Sequence, residues 1–289
     1  MLFPGFYSTI SEKYYFCNML IHTYEPSPVL RPVVKHFWEL KTEGCCGIHT
    51  RQMIIPEGLA ELVFYLENVP VYRGSFGCMS SPVVFSGQHN QPYYIESNGP
   101  LHLFAVVFQP AFSSGFFDHP ANLFQNQVID AQLLGINGYL TELYGKLKDQ
   151  ETAAAKIIAI EGGLKKWYGQ KDLVKFSRIA ESMKYLIRNC GNIKVPELAS
   201  RACLGRKQFE RLFLQVTGLS PAAFSRIVRF QYALHLHNQH RNYTLTAIGH
   251  SAGYFDQSHM IREFKQLSGM SPRAFFAGGP SISDFYLSV

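Results

Sequence analysis

The chain has 289 residues, 47% of them hydrophobic and 17% charged. That is enough apolar side chain for two cores, and the absence of low-complexity runs argues against extended disorder. No stretch approaches the roughly 20 apolar residues that span a bilayer, and no charged segment leads into an apolar run with a small-residue cleavage site, so a cytoplasmic protein with no membrane partner is expected. The net charge of +6 is unevenly placed: residues 172–289 hold 15 Lys and Arg against 7 Asp and Glu, whereas residues 1–171 hold 12 against 14. A basic excess confined to one half suits a phosphate-binding face there. The cysteines at 17, 45, 46, 78, 190 and 203 have neither Cys-x-x-Cys nor zinc-site spacing and read as reduced thiols, with redox sensitivity of Cys45-Cys46 as the lesser alternative.

Residues 1–128 read as a β-rich domain suited to sensing. Short apolar or aromatic runs at 33–40, 52–55, 62–66, 83–85, 93–95 and 101–108 are separated by Gly, Pro, Asn and Ser. This is the punctuation of an antiparallel sandwich or small barrel, and a cupin-like barrel is expected. In the last run Leu101, Leu103, Ala105 and Val107 alternate with Phe104, Val106 and Phe108, which predicts a strand buried on both faces. Candidates for an effector pocket are Trp38, Glu57, Tyr65, Tyr93 and Phe104, with Phe37 beside them, although an aromatic in a small barrel is more often core than ligand wall. Glu57 and Glu61, four apart, straddle a Gly turn and read more readily as loop and rim carboxylates than as an acid/base pair.

Residues 129–171 carry helical patterning, through Leu133, Leu134, Ile136, Tyr139, Leu140, Leu143, Tyr144 and Leu147 and then through Ile157, Ile158, Ile160 and Leu164. Gly162-Gly163 marks a point where the second helix is open to interruption. Such a pair could pack on the following domain or form a dimer seam. Intramolecular packing is preferred, because the apolar face is too irregular for a heptad.

Residues 172–279 contain one unit written twice. Arg211 and Arg262, Phe213 and Phe264, Gly218 and Gly269, and Pro221 and Pro272 are all separated by 51 residues, and a fixed offset through dissimilar residues is duplicated structure. Each copy has the grammar of a helix-turn-helix. In the first, Leu198, Ala199 and Ala202 share a helix face, Leu204-Gly205 breaks the run, and Phe209, Leu212 and Phe213 resume it. In the second, Leu245, Ile248 and Ala252 precede a turn one residue longer, Asp256 is placed to cap the next helix, and Met260, Ile261 and Phe264 face inward. Residues 280–289 read as a tail.

If those apolar residues point inward, Arg206, Lys207, Glu210 and Arg211 include the outward positions of one candidate reading helix, and Gln257, Ser258, His259 and Arg262 those of the other. Arg bonds guanine O6 and N7 in a bidentate manner and Gln pairs with adenine, each discriminating by roughly 1–3 kcal/mol. Glu210 could accept from cytosine N4 or simply orient Arg206 or Arg211. A polar outer face on one short helix is usually just solvated; duplication and charge together favour DNA reading.

Over about residues 175–277 the chain resembles the AraC/XylS family of bacterial transcription regulators, most specifically through Gly253-Tyr254-Phe255-Asp256-Gln257-Ser258-His259-Met260-Ile261-Arg262-Glu263-Phe264-Lys265 and Gly269-Met270-Ser271-Pro272-Arg273-Ala274-Phe275. The resemblance implies two helix-turn-helix units joined by a long helix, here from about Pro221 to Asn238 with Ser220 as its N-cap, that enter successive major grooves about 34 Å apart. Carried over by position, it implies contact roles for Lys207, Glu210, Arg211, Gln257, Ser258, His259 and Arg262. Cys203 departs from the family where a turn Gly is usual, and Gly249 where Ala is usual, the second loosening its helix by up to about 1 kcal/mol. More loosely, Ile54-Ile55-Pro56-Glu57-Gly58, the following Glu61-Leu62-Val63-Phe64 and Gly99-Pro100-Leu101 resemble the N-terminal domain of a subset of AraC-type regulators. The implied partner is double-stranded DNA, with RNA polymerase, a small-molecule effector and a second copy of the chain as further candidates; activation is the family tendency.

The expected fold class is therefore α+β and multidomain, and the expected function is sequence-specific DNA-binding transcription regulation without enzymatic activity, cofactor or metal. The rival reading is a cupin-type enzyme fused to a basic helical module, which converging pocket carboxylates would favour; a third is an architectural DNA binder. Metal cupins hold their ion with a His-x-His pair, a Glu and a distant His. His36, His49, His89, His102 and His119 are scattered, and the pair His235 and His237 falls on the expected connector helix, on different faces.

Overall fold

The computed structural model describes residues 18–43, 50–112, 115, 119–134, 137–168, 174–240 and 242–277; Cys17, Cys45-Cys46, His49 and the tail lie outside them. Among the described residues the N-terminal part has ten strands, β1 (Asn18–Tyr24), β2 (Val34–Glu43), β3 (Thr50–Ile54), β4 (Glu61–Tyr65), β5 (Val71–Gly74), β6 (Gly77–Met79), β7 (Val83–Ser86), β8 (Tyr93–Ser97), β9 (His102–Phe108) and β10 (Val128–Asp130). They form a six-stranded sheet in the order β1-β2-β9-β4-β7-β10 and a four-stranded sheet in the order β3-β8-β5-β6. All pairings are antiparallel, and the sheets meet face to face over a shared apolar cluster. Strands β1, β5, β6 and β10 were not among the expected runs.

The six-stranded sheet is apolar on both faces because each has something to bury. On β9, Leu103 and Ala105 join Leu40, Val63, Tyr65, Tyr72 and Tyr93 in the cluster between the sheets, whereas Phe104, Val106 and Phe108 join Phe37, Leu62, Phe64 and Phe85 in the larger core beneath the helices. The expected two-sided burial of this strand is observed.

Helices α1 (Asn137–Lys148) and α2 (Ala153–Tyr168) cover that second face. They dock on the N-terminal sheet through Tyr144 Oη donating to the Tyr65 carbonyl at 2.9 Å, Lys156 Nζ donating to Glu39 Oε1 at 2.6 Å, and the Ser27 amide donating to Glu161 Oε1 at 2.6 Å. Gly162-Gly163 does not interrupt α2. The Tyr139 hydroxyl of α1 occupies the space a Gly163 side chain would fill, so the glycine permits close helix packing.

The remaining helices are α3 (Val174–Arg188), α4 (Val195–Arg201), α5 (Arg206–Thr217), α6 (Pro221–Gln239), α7 (Leu245–Ser251), α8 (Gln257–Ser268) and α9 (Pro272–Ala277). Their phenylalanines make one aromatic core, with Phe213 edge-on to Phe224, and Phe230 edge-on to both Phe264 and Phe275; fully burying each such ring contributes roughly 1.5–3 kcal/mol. No helix among the described residues is long and apolar enough to cross a membrane.

The two parts of the molecule touch at equivalent places. Gly218 and Gly269 end α5 and α8 in the left-handed conformation, φ 85° and 73°, the usual αL helix stop. A side chain at Gly218 would come within 2.9 Å of the Ala121 carbonyl, and one at Gly269 within 3.9 Å of Pro92 Cγ. The C-terminal ends of both repeats thus lie against the N-terminal domain.

Candidate nucleic-acid interface and cavity

The duplicated units fold as α4-turn-α5 and α7-turn-α8, both held by α6. Pro221 opens α6 and the Ser220 hydroxyl accepts from the Ala223 amide at 3.2 Å, so the connector begins where the sequence places it. Asp256 caps α8 by accepting from the His259 amide at 2.6 Å. In α5, Phe209 and Phe213 are buried; in α8, Met260 and Phe264 are, while Leu212 and Ile261 are only partly covered. Each second helix buries its phenylalanine on α6 and turns the opposite face outward.

That outward face carries the expected side chains. Arg206, Lys207 and Arg211 are exposed on α5, and Gln257, Ser258 and Arg262 on α8. Glu210 accepts from Arg206 Nε at 3.0 Å, the orienting arrangement rather than a carboxylate left free for a base. His259 is already engaged within the domain: Nδ1 accepts from the Phe255 amide at 3.3 Å and Nε2 lies 3.1 Å from Glu263 Oε1. With Nδ1 accepting, Nε2 carries the hydrogen. Glu263, buried, also receives Arg229 Nε at 3.2 Å, and Arg229 Nη1 reaches Asn192 Oδ1 at 3.4 Å. This network fixes α8 against α6. Phe255, the extra residue of the second turn, is 92% exposed beside the start of α8, a feature the sequence does not announce because an apolar turn residue is usually covered.

Between the sheets lies a cavity of about 90 Å³. Trp38, Glu57, Tyr65 and Tyr93 line it, as do Tyr72 and Glu61. Phe104 and Phe37 do not: they point to the opposite face of the six-stranded sheet and belong to the core under α1 and α2. One residue separates Phe104 from the cavity-lining Leu103, and on a strand one residue changes the face. Glu61 is likewise no rim residue. As the first residue of β4 it shares the inner face with Val63 and Tyr65, and burial pushes its carboxyl up to about 7 despite a hydrogen bond from Trp38. Although Glu57 and Glu61 both reach the wall, burial and not the Glu57 charge raises Glu61, and Glu57 instead interacts with Lys35. The two carboxylates therefore do not form an acid/base pair. Among the described residues no group of three His, Cys, Asp or Glu is arranged to hold a metal. His235 lies near Tyr232 and His237 stacks on Phe276 at 3.8 Å.

Residues 198–278 match a family described as a helix-turn-helix domain, and residues 22–130 match a domain of unknown function, DUF6597. A curated relative from Haemophilus influenzae, named as an uncharacterized HTH-type transcriptional regulator, is 35% identical over 81 residues, which are 28% of this chain and 27% of the relative's length. Among solved structures, the DNA-binding domain of AdpA in complex with a target DNA aligns with 35% of this chain and 91% of its own, at 24% identity and a TM-score of 0.33. ToxT from Vibrio cholerae aligns with 91% of this chain and 98% of its own, at 8% identity and a TM-score of 0.47. The C-terminal part of the chain is an AraC-type helix-turn-helix domain.

Both departures within this AraC-type domain have a structural account. Cys203 adopts φ 53° at the place where the second unit has Gly253 at φ 83°, so the first turn keeps its left-handed geometry and bears the strain of a side chain there. At Gly249 a methyl group would sit 3.0 Å from Met260 Sδ, so glycine makes room for the thioether of α8.

Proposed function

We propose that this protein is a cytoplasmic, sequence-specific DNA-binding transcription regulator whose N-terminal domain senses a small molecule and biases the C-terminal domain between arrangements of different DNA affinity. The observation that carries the reading is the placement of two duplicated helices, α5 and α8, on one connector with Arg206, Lys207, Arg211, Gln257, Ser258 and Arg262 all outward. Glu210 orients Arg206, and His259 positions α8 through Glu263. Exposed Arg and Gln on paired helices suit successive major grooves, where base edges carry the discriminating pattern. Control by a ligand then acts through its differential affinity for the two arrangements.

Arg211→Ala and Arg262→Ala test base reading directly. Each should cost roughly 1–3 kcal/mol on the preferred duplex and flatten preference at the contacted base. Equal weakening on every duplex would reduce both to phosphate contacts and favour an architectural binder.

A further inference from the structure

The cavity between the sheets surrounds a carboxylate with aromatic rings. Glu61 is reached by the Trp38 indole, and Tyr65, Tyr72 and Tyr93 complete the wall. Among the described residues Glu61 takes part in no ion pair. A carboxylate withdrawn from water without a counter-ion is unfavourable, and a fixed positive charge brought into the same space offsets that.

The other groups on the wall do not supply this charge. Burial, helped by the nearby Lys35 charge, pushes His36 down to about 4, and burial pushes His89 down to about 3, so both imidazoles are neutral at pH 7. Lys35 interacts with Glu57. An anionic ligand would meet Glu61 and no cation on the wall; a cationic one would meet a carboxylate and several π faces.

Size and rigidity fit a ligand as well. The cavity of about 90 Å³ is well above the roughly 10–15 Å³ that one water occupies, so a group of several heavy atoms can enter. The Tyr65 and Tyr72 hydroxyls are 2.5 Å apart, and Ser86 Oγ lies 3.2 Å from His89 Nε2 and 3.3 Å from the Tyr93 hydroxyl. The walls are therefore oriented in advance, which lowers the cost of ordering them on binding.

We propose that this cavity binds a small organic cation, with an alkylammonium head seated against the rings of Trp38, Tyr65, Tyr72 and Tyr93 and Glu61 as its counter-ion. The assignment deepens the sensing role proposed above and rests on it for its consequence at DNA.

The test uses the full chain at pH 8, where Glu61 is largely ionised, titrated in a calorimeter with three compounds of nearly one shape: choline, its neutral carbon analogue 3,3-dimethylbutan-1-ol, and the anion 3,3-dimethylbutanoate. Choline should bind roughly tenfold or more tightly than the alcohol, and the anion should not bind. Glu61→Gln should bring choline and the alcohol to within about twofold, and Trp38→Leu should weaken choline while leaving the carboxylate in place. If the alcohol matches choline, if the anion is preferred, or if none of the three binds, the assignment is wrong. Duplex binding by the same preparation separates the two readings: a chain that selects a DNA site and ignores choline loses only the cation site, and one that binds choline and selects no DNA loses only the regulator.

Discussion

Gln231, on α6, donates from Nε2 to the Pro56 carbonyl at 2.7 Å, and both residues are buried. Pro56 and its neighbours Ile55 and Glu57 line the cavity, whereas α6 carries both helix-turn-helix units. This hydrogen bond joins the cavity wall of the N-terminal domain to the connector between the two helix-turn-helix units. Gln231→Leu removes the donor from the carbonyl of a buried residue and should lower stability by about 1–3 kcal/mol, read as a shift of the urea midpoint at constant slope. It should also reduce any difference in DNA affinity between empty and ligand-bound protein. An unchanged midpoint would mean that the domains do not rely on this contact.

Phe255 separates stability from DNA affinity. Its ring is 92% exposed, so Phe255→Ser should change stability by less than about 0.5 kcal/mol. Because the ring stands at the start of α8 next to Gln257 and Ser258, the same substitution should weaken binding to the preferred duplex severalfold, in keeping with apolar contact to a thymine methyl. Fluorescence anisotropy on the preferred duplex, with a urea titration alongside, gives both values. Equal loss in both would place Phe255 in the fold and not in the interface.

Cys203→Gly should stabilise the protein. A left-handed non-glycine residue costs about 1–2 kcal/mol, and the greater freedom of glycine in the unfolded chain returns part of that. A net gain of about 0.5–1 kcal/mol is expected, since Cys203 is exposed and gives up little packing. Thermal unfolding under reducing conditions measures it, and a lower Tm would show that the turn is not strained.

Two carboxyls should make stability depend on pH in opposite senses. Glu61 is held up at about 7 by burial, so the folded state keeps its proton where the unfolded chain has lost it; the benefit is full below about pH 4.5 and is lost as pH rises to 7. Glu61→Gln should therefore be the more stable protein at pH 8, by on the order of 1–3 kcal/mol, and no more stable at pH 4. Glu39 behaves the other way. Burial would raise it, but hydrogen bonds and charge from His102 and Lys156 overcome that and hold it at about 2, so its contribution is present above pH 4.5 and falls away between 4.5 and 2. Lys156→Met should weaken this acid dependence without abolishing it, because the His102 hydrogen bond remains. Urea midpoints across pH 3–8 for the wild type and both variants separate the two slopes.

The sequence made the C-terminal domain legible because repetition, capping residues and helical spacing all agree there. Ser220, Asp256 and the glycines at 218 and 269 are local signals, and a helix needs only local signals to be placed. The N-terminal domain was legible in kind but not in its contacts. Alternation along β9 predicts two buried faces yet does not say which face meets the other sheet, so Phe104 reads as cavity wall from sequence, and the Gly turn before β4 makes Glu61 read as rim. Strands β5 and β6 pair with each other across the short turn at Ser75-Phe76, but at four and three residues they are too short for an alternating pattern to show. Nothing local announces that Gln231 meets Pro56 across 175 residues, or that His259 is occupied by Glu263.

The central claim is that the chain reads DNA sequence with two heads, and selection of bound fragments from a random duplex library by the full chain tests it most directly. At about 150 mM salt nonspecific binding is suppressed by counterion competition. The account predicts an enriched site with two short conserved blocks about one helical turn apart, each lost separately in Arg211→Ala and Arg262→Ala. A library that emerges without enrichment, both from the full chain and from residues 172–289 alone, would contradict it.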